Sequence, residues 1–206
     1  MVKILTKDND EIELILPKTE HPKVLVIGVT HGDEPQGNFL IKKYLRETPE
    51  TKLMFIPTLN PGGLRLNQRT NIRGVDLNRN FPTENWQDSP KNEFWGGEAP
   101  ASEIETLFVI NTIENFKPKL ILTLHAPYKV VNYDGDAEIY AKEISNITGY
   151  PVQEDIGYPT PGSFGTYAGI EKGIPTITLE LDEECELETL VNPIFKVFNY
   201  LETLIL

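Results

Sequence analysis

Four short apolar runs, KVLVIGV (23–29), KLMFIPT (52–58), KLILTL (119–124) and TITLEL (176–181), alternate along the chain with longer amphipathic stretches. That alternation constrains the fold more than any other feature. Short runs rich in Val, Ile and Thr read as strands, whereas GNFLIKKYLRE, SEIETLFVINTIENF, AEIYAKEISNITG and ELETLVNPIFKVFNYLETLI carry the spacing of helices. Ser102 with Glu105 three residues on has capping-box spacing, which predicts a helix start there. Strands and helices in alternation predict an α/β layer arrangement rather than an all-β or all-α one. At 206 residues and 39% hydrophobic, the chain supports one well-buried core and is short for two, so a single domain over 1–206 is expected.

The charge balance excludes some partners. A formal net charge of -12 argues against nucleic acid and anionic membrane, both of which require a broad basic surface. The N-terminal MVKILTKDNDEIELILPK is broken by charges before an apolar run reaches signal-peptide length, and no later stretch could span a bilayer. Cys185 is the sole cysteine, which leaves no intrachain disulfide. A cytoplasmic location is expected.

Against this acidic background, four of the five arginines (Arg65, Arg69, Arg73, Arg79) crowd into RLNQRTNIRGVDLNRNF, 65–81. Like charges in one loop repel unless an anion sits among them. The surrounding segment, Asn60 to Pro100, has no sustained period, and a loop of that length is either functional or disordered. Phe81, Trp86, Phe94 and Trp95 favour an ordered, packed loop. A guanidinium suits a substrate carboxylate or a developing oxyanion better than an ammonium does, and the plain alternative is a set of surface ion pairs.

Three strand ends carry chemistry. The first strand runs into GVTHGDEPQG, the third into LTLHAPY, and the last ends TITLELDEE, which places His31, Asp33, Glu34, His125 and Glu180 at carboxyl ends. Ligands bind in the crevice outside those ends in open α/β sheets, so these residues can converge. Two imidazoles and a carboxylate with an open fourth position make a catalytic zinc site. Glu180, a carboxylate in an apolar strand, is either a structural ion pair or a general base and acid. His21, in a polar turn, reads as a surface residue.

HGDE, NPGG, RTNIRGVDLNRNFP, LHAPY and ITLEL, in that order, resemble the zinc carboxypeptidase family typified by carboxypeptidase A, over roughly Val24 to Leu181. The resemblance implies a single-domain α/β/α sandwich with a mixed, mostly parallel sheet. It implies one Zn2+ per chain held by His31, Glu34 and His125. Separately from the resemblance, Asp33 beside Glu34 is a candidate to orient a ligand. Asn78 and Arg79 fall where the family grips the terminal carboxylate, Arg69 where it polarises the scissile carbonyl, and Glu180 on the catalytic glutamate. Tyr158 fits the tyrosine that closes over substrate, with Tyr167 second, and Ser163 and Phe164 fall in the specificity pocket. Gly62 of NPGG stands where the family has an acid, and Arg65 and Arg73 have no assigned role.

HAPY, NYDG and DIGYPTPGSFGTYAG further resemble the bacterial amidases that cut the bond between γ-D-glutamate and meso-diaminopimelate in the murein tripeptide. The implied activity is zinc-dependent hydrolysis of an amide next to a free carboxylate, on a small peptide, by a monomer or homodimer. Two other readings stand beside it: an N-acyl amino acid deacylase of the desuccinylase type, and a non-catalytic peptide-binding module.

Overall fold

A computed structural model describes residues 1–19, 22–154 and 157–204; His21 lies outside them. A hairpin of β1 (Val2–Leu5) and β2 (Glu11–Leu14) precedes the main sheet. The sheet holds six strands: β3 (Val24–Gly28), β4 (Met54–Ile56), β5 (Leu120–His125), β6 (Val130–Asp134), β7 (Val152–Gln153) and β8 (Thr176–Glu180). Their order is β4-β3-β5-β8-β6-β7. The first four neighbours are parallel, and β6 runs antiparallel to β8 with β7 parallel to β6. The sheet is mixed and mostly parallel, as the family resemblance implies, and the four apolar runs form its four parallel strands.

Strand alternation divides the core in two. Val24, Val26, Leu120, Leu122, Ile177 and Leu179 pack on one face with α1 (Gln36–Glu47), α4 (Glu138–Thr148) and α5 (Leu187–Thr203). Leu25, Ile27, Met54, Ile56 and Ile121 face the other way, onto α3 (Ile104–Phe116), the β2 residues Ile12 and Leu14, and Phe81 of the long loop. Successive side chains of a strand point to opposite faces, so buried strands flanked by helices are apolar at almost every position. His125 and Glu180 sit directly across from each other in the β5–β8 register. They share their face with Thr123 and Thr178 and open into the cleft at the strand ends.

The long loop is ordered and contains α2 (Pro61–Leu66) and a 3-10 turn at Leu77–Arg79, neither of which the sequence pattern announced. Three buried asparagines hold it. Asn60 caps α2 by accepting the Gly63 N–H at 2.9 Å. Asn71 accepts from the Arg73 and Val75 amides and donates to Glu103. Asn80 donates to the Gly96 carbonyl and accepts from the Glu103 N–H. Phe81 and Trp95 are buried, Trp86 is half-buried, and Phe94 is exposed.

Two expectations are corrected. α3 starts at Ile104 with Glu103 at its cap position and no side-chain capping bond, because the Ser102 hydroxyl donates to Glu103 instead. Phe164 does not line the cleft: its ring packs on Phe81 at 5.0 Å in the core.

Candidate active site

β3 ends in a close approach that aims His31. Gly37, on the first turn of α1, lies so near β3 that a Cβ there would sit 2.8 Å from the Gly28 Cα. Val29 then adopts a left-handed conformation, φ 52°, which costs a β-branched residue about 1–3 kcal/mol. The Asn60 N–H donates to the Val29 carbonyl and the Leu59 N–H to that of Gly28, which fixes the bend. The turn delivers His31 and Glu34 to the top of the sheet beside His125.

There the three side chains converge. Glu34 Oε1 lies 2.7 Å from His31 Nδ1, and Glu34 Oε2 lies 3.0 Å from His125 Nδ1. The two Nδ1 atoms are 3.3 Å apart, all three residues are buried, and their ligating atoms lie within 4.8 Å of one another. Two imidazole nitrogens and a carboxylate facing one point, with a cleft on the remaining side, are the donor set of a catalytic zinc site.

Asp76 completes the centre. Fully buried, it places Oδ1 3.2 Å from His31 Nε2, and its Oδ2 accepts from Arg69 Nε and Nη2 at 3.1 and 2.9 Å. The expectation that Asp33 orients a ligand is corrected by this geometry, since Asp33 is exposed and the buried partner of His31 is Asp76. Burial would lower the His31 pKa, but Glu34 and Asp76 outweigh it and hold the imidazole up at about 9. Glu34 moves the other way: despite burial, the two histidines hold it down at about 2. A buried site this negative, holding a proton against desolvation, is matched to a dication that can replace that proton.

Of the other predicted residues, Arg69, Asn78, Arg79, Tyr158, Ser163 and Glu180 line one cleft of about 580 Å³. Glu180 stands across from His125 with Oε2 buried and unpartnered, and burial pushes its carboxyl above the usual range. Arg69 stacks against the exposed Phe94 ring at 5.2 Å and sets Nη1 3.4 Å from His31 Nδ1. Asn78 is fixed by accepting the Phe164 N–H at 2.9 Å. Arg79 is buried, donates Nη1 to the Asn78 carbonyl at 2.7 Å, and forms no ion pair with any described carboxylate. Tyr158 borders the cleft together with Tyr128, whereas Tyr167 is buried and stacked on Phe81 at 5.5 Å. Ser163 is among the lining residues.

The other two arginines are accounted for by ion pairs. Arg73 meets Glu103 at 3.1 Å and Arg65 meets Asp10 at 2.8 Å. Gly62 has a local reason too: a Cβ there would lie 2.3 Å from Ile72 Cγ2 and 3.3 Å from Asp10 Oδ2. An acidic side chain at that position would meet a second carboxylate, the one that already pairs with Arg65.

The fold and the site define a zinc-dependent metallopeptidase: a mononuclear His–Glu–His centre at the carboxyl ends of a mostly parallel sheet, in a cleft holding cations and an unpartnered carboxylate. The chain belongs to the zinc carboxypeptidase family, whose model matches residues 1–161. It is 32% identical over 171 residues to murein peptide amidase A of Vibrio campbellii, covering 76% of this chain and 68% of that protein. Murein peptide amidase A of Escherichia coli K12 is 28% identical over 199 residues, covering 90% of this chain and 81% of its own. Among solved structures, murein-tripeptide amidase MpaA from Escherichia coli O157 superposes with a TM-score of 0.87 at 25% identity, covering 98% of this chain and 91% of that one. Thrombin-activatable fibrinolysis inhibitor shares the fold, with a TM-score of 0.74 at 17% identity over 99% of this chain and 70% of its own. No helix among the described residues is long and apolar enough to cross a membrane.

Proposed function

We propose that the protein hydrolyses the amide bond between γ-D-glutamate and meso-diaminopimelate in murein tripeptide, during recycling of cell-wall peptides in the cytoplasm. The observation that carries the reading is Arg79: a buried guanidinium without a carboxylate partner, in an acidic protein, beside the His31–Glu34–His125 cluster. A buried cation without a counter-ion is costly, and a substrate carboxylate is the partner it lacks. The relatives named murein peptide amidase support the choice of substrate.

Zinc held by His31, Glu34 and His125 supplies a Lewis acid that lowers the pKa of water and polarises a carbonyl. The chain's own groups do the rest. Arg79, with the Asn78 side chain, receives the free carboxylate of the residue on the leaving side and so fixes the amide against Glu180. The raised pKa of Glu180 suits a carboxylate that takes a proton from the attacking water at Oε2 and returns it to the departing amine. Arg69, locked on Asp76 through Nε and Nη2, keeps Nη1 for the oxygen that gains charge as the carbonyl carbon becomes tetrahedral. Tyr158 covers the bound peptide from the rim.

Mass spectrometry of the zinc-loaded protein with L-alanyl-γ-D-glutamyl-meso-diaminopimelate, ordinary L-peptides and N-succinylglutamate, each with and without chelator, tests this reading. Chelator-sensitive release of diaminopimelate from the tripeptide is the expected result. Cleavage only of the L-peptides or of the succinyl compound would replace the substrate, and no cleavage of any of them would favour a binding module.

A further inference from the structure

A second cavity, of about 730 Å³, adjoins the catalytic cleft. Asp33, Arg69 and Glu93 line both, so they form the threshold between the two. Asn78 and Arg79 line the catalytic cleft alone. The carboxylate on the leaving side is therefore held away from the second cavity. The acyl side of the substrate, whose carbonyl oxygen meets Arg69, continues across the threshold into it.

The charge of the second cavity is uneven once its internal pairs are set aside. Arg69 is matched by Asp76 and Arg73 by Glu103. The carboxylates of Asp33, Glu93 and Glu98 accept no hydrogen bond and form no ion pair among the described residues. Against them stands the ammonium of Lys91, which rests over the Trp95 ring at 4.3 Å. The surplus is negative, and a cationic group would offset it. Asp33 is the carboxylate nearest the chemistry. It follows His31 by two residues, so the two Cα atoms are at most ~7.6 Å apart. Burial opposes the Arg69 charge, and Asp76, Glu34 and Asp33 sustain it, which places Asp33 beside the guanidinium.

In the tripeptide the acyl side is L-alanyl-γ-D-glutamyl, and its cation is the terminal ammonium. Extended at standard bond lengths, the chain puts that nitrogen ~9 Å from the scissile carbonyl carbon. The arm is long enough to reach Asp33 and to bend on the way.

We infer that the second cavity receives the amino-terminal end of the substrate, and that Asp33, with Glu93 the other carboxylate of the threshold, takes its free ammonium. This rests on the proposed amidase reading, in which Arg79 holds the leaving side. An acylated amino end carries no charge and brings added bulk to the same place, so it is rejected. A reaction that frees this nitrogen therefore precedes the cleavage wherever the peptide starts out joined through it.

Three peptides of the form X-γ-D-glutamyl-meso-diaminopimelate test the inference, with X as L-alanyl, propionyl or N-acetyl-L-alanyl. Propionyl is alanyl without its ammonium and separates charge from bulk. Each is assayed with wild type, Asp33→Asn and Glu93→Gln, and zinc content is measured on every preparation. Wild type is expected to prefer alanyl over propionyl by about tenfold or more in kcat/KM, chiefly through KM. With zinc retained, Asp33→Asn should shrink that preference to within about threefold, and Glu93→Gln should lower it by about twofold. A merely structural role for Asp33 would slow all three peptides alike. If Asp33→Asn loses zinc, Glu93→Gln carries the test. Equal cleavage of the alanyl and propionyl peptides by wild type, or a preference unchanged in the zinc-replete variants, overturns the inference and leaves the amidase reading standing. If wild type cleaves none of the three, the amidase reading falls, and calorimetry of the zinc-loaded protein with L-alanyl-D-glutamate and propionyl-D-glutamate decides. Tighter binding of the alanyl compound that Asp33→Asn removes upholds the ammonium site; equal or absent binding removes it.

Discussion

Replacing Asp134 by asparagine should make the protein more stable at neutral pH. Asp134 has a folded pKa of about 6 against an ordinary value of 3.8, so the folded state holds a proton that the unfolded chain releases. For an acid raised on folding, stability falls as pH climbs from about 4, and the full penalty is present above about 6. At 1.36 kcal/mol per pKa unit, that rise corresponds to a ceiling of about 3 kcal/mol. Asp134 keeps part of its surface open to the cleft, and solvent screening reduces the expectation to about 1–2 kcal/mol. Urea unfolding of wild type and Asp134→Asn at whole pH steps from 4 to 8 reads it directly. The variant should match wild type near pH 4 and exceed it by about 1–2 kcal/mol at pH 7–8, an increase in Tm of about 2–8 °C for a chain of this size. A variant less stable than wild type at pH 7, or a difference of equal size at pH 4 and pH 8, would refute the reasoning.

Asp76→Asn removes the carboxylate that orients His31 and anchors Arg69, and zinc affinity measured by competition with a chromophoric chelator should fall 10–100-fold; unchanged affinity would deny Asp76 its orienting role. Arg79→Ala should raise KM for the tripeptide about 100-fold or more with zinc content intact, whereas Arg65→Ala, which breaks an exposed pair with Asp10, should change neither stability nor rate measurably. Gly63→Ala puts a Cβ 2.5 Å from the Thr70 carbonyl and the Asn60 amide, and should lower stability by about 1–3 kcal/mol in thermal unfolding; a Tm within a degree of wild type would show that this turn yields.

The parts of the structure that depend on local pattern were legible in the sequence. Val24–Gly28, Met54–Ile56, Leu120–His125 and Thr176–Glu180 are apolar enough to be read as strands without knowing their neighbours. Once these are parallel neighbours, the convergence of His31, Glu34, His125 and Glu180 follows from the strand ends. What escaped depends on tertiary context. β1, β2, β6 and β7 are short and carry charged or polar residues, so they make a weak apolar signal. Asp76 and Asp134 look like any of the 31 acidic residues until folding shows one buried against His31 and the other half-buried against Gly165. Phe164 and Tyr167 lie in the segment the resemblance assigns to the cleft, yet both rings pack onto Phe81, because the segment turns inward there and leaves Ser163 and Tyr158 toward the cavity. The arginine loop was half legible: crowding signalled an anion, but only the ion pairs of Arg65, Arg69 and Arg73 show that Arg79 is the one left for a ligand.

The central claim is that zinc held by His31, Glu34 and His125 and the proton transfer carried out by Glu180 are separate contributions from one strand-end site. The most direct test measures zinc content and tripeptide turnover in the same preparation of Glu180→Gln. The account predicts one zinc per chain, as in wild type, with kcat lower by about 10²–10⁴, the range for loss of a general acid–base group. A variant that keeps zinc and turns over within tenfold of wild type would contradict it.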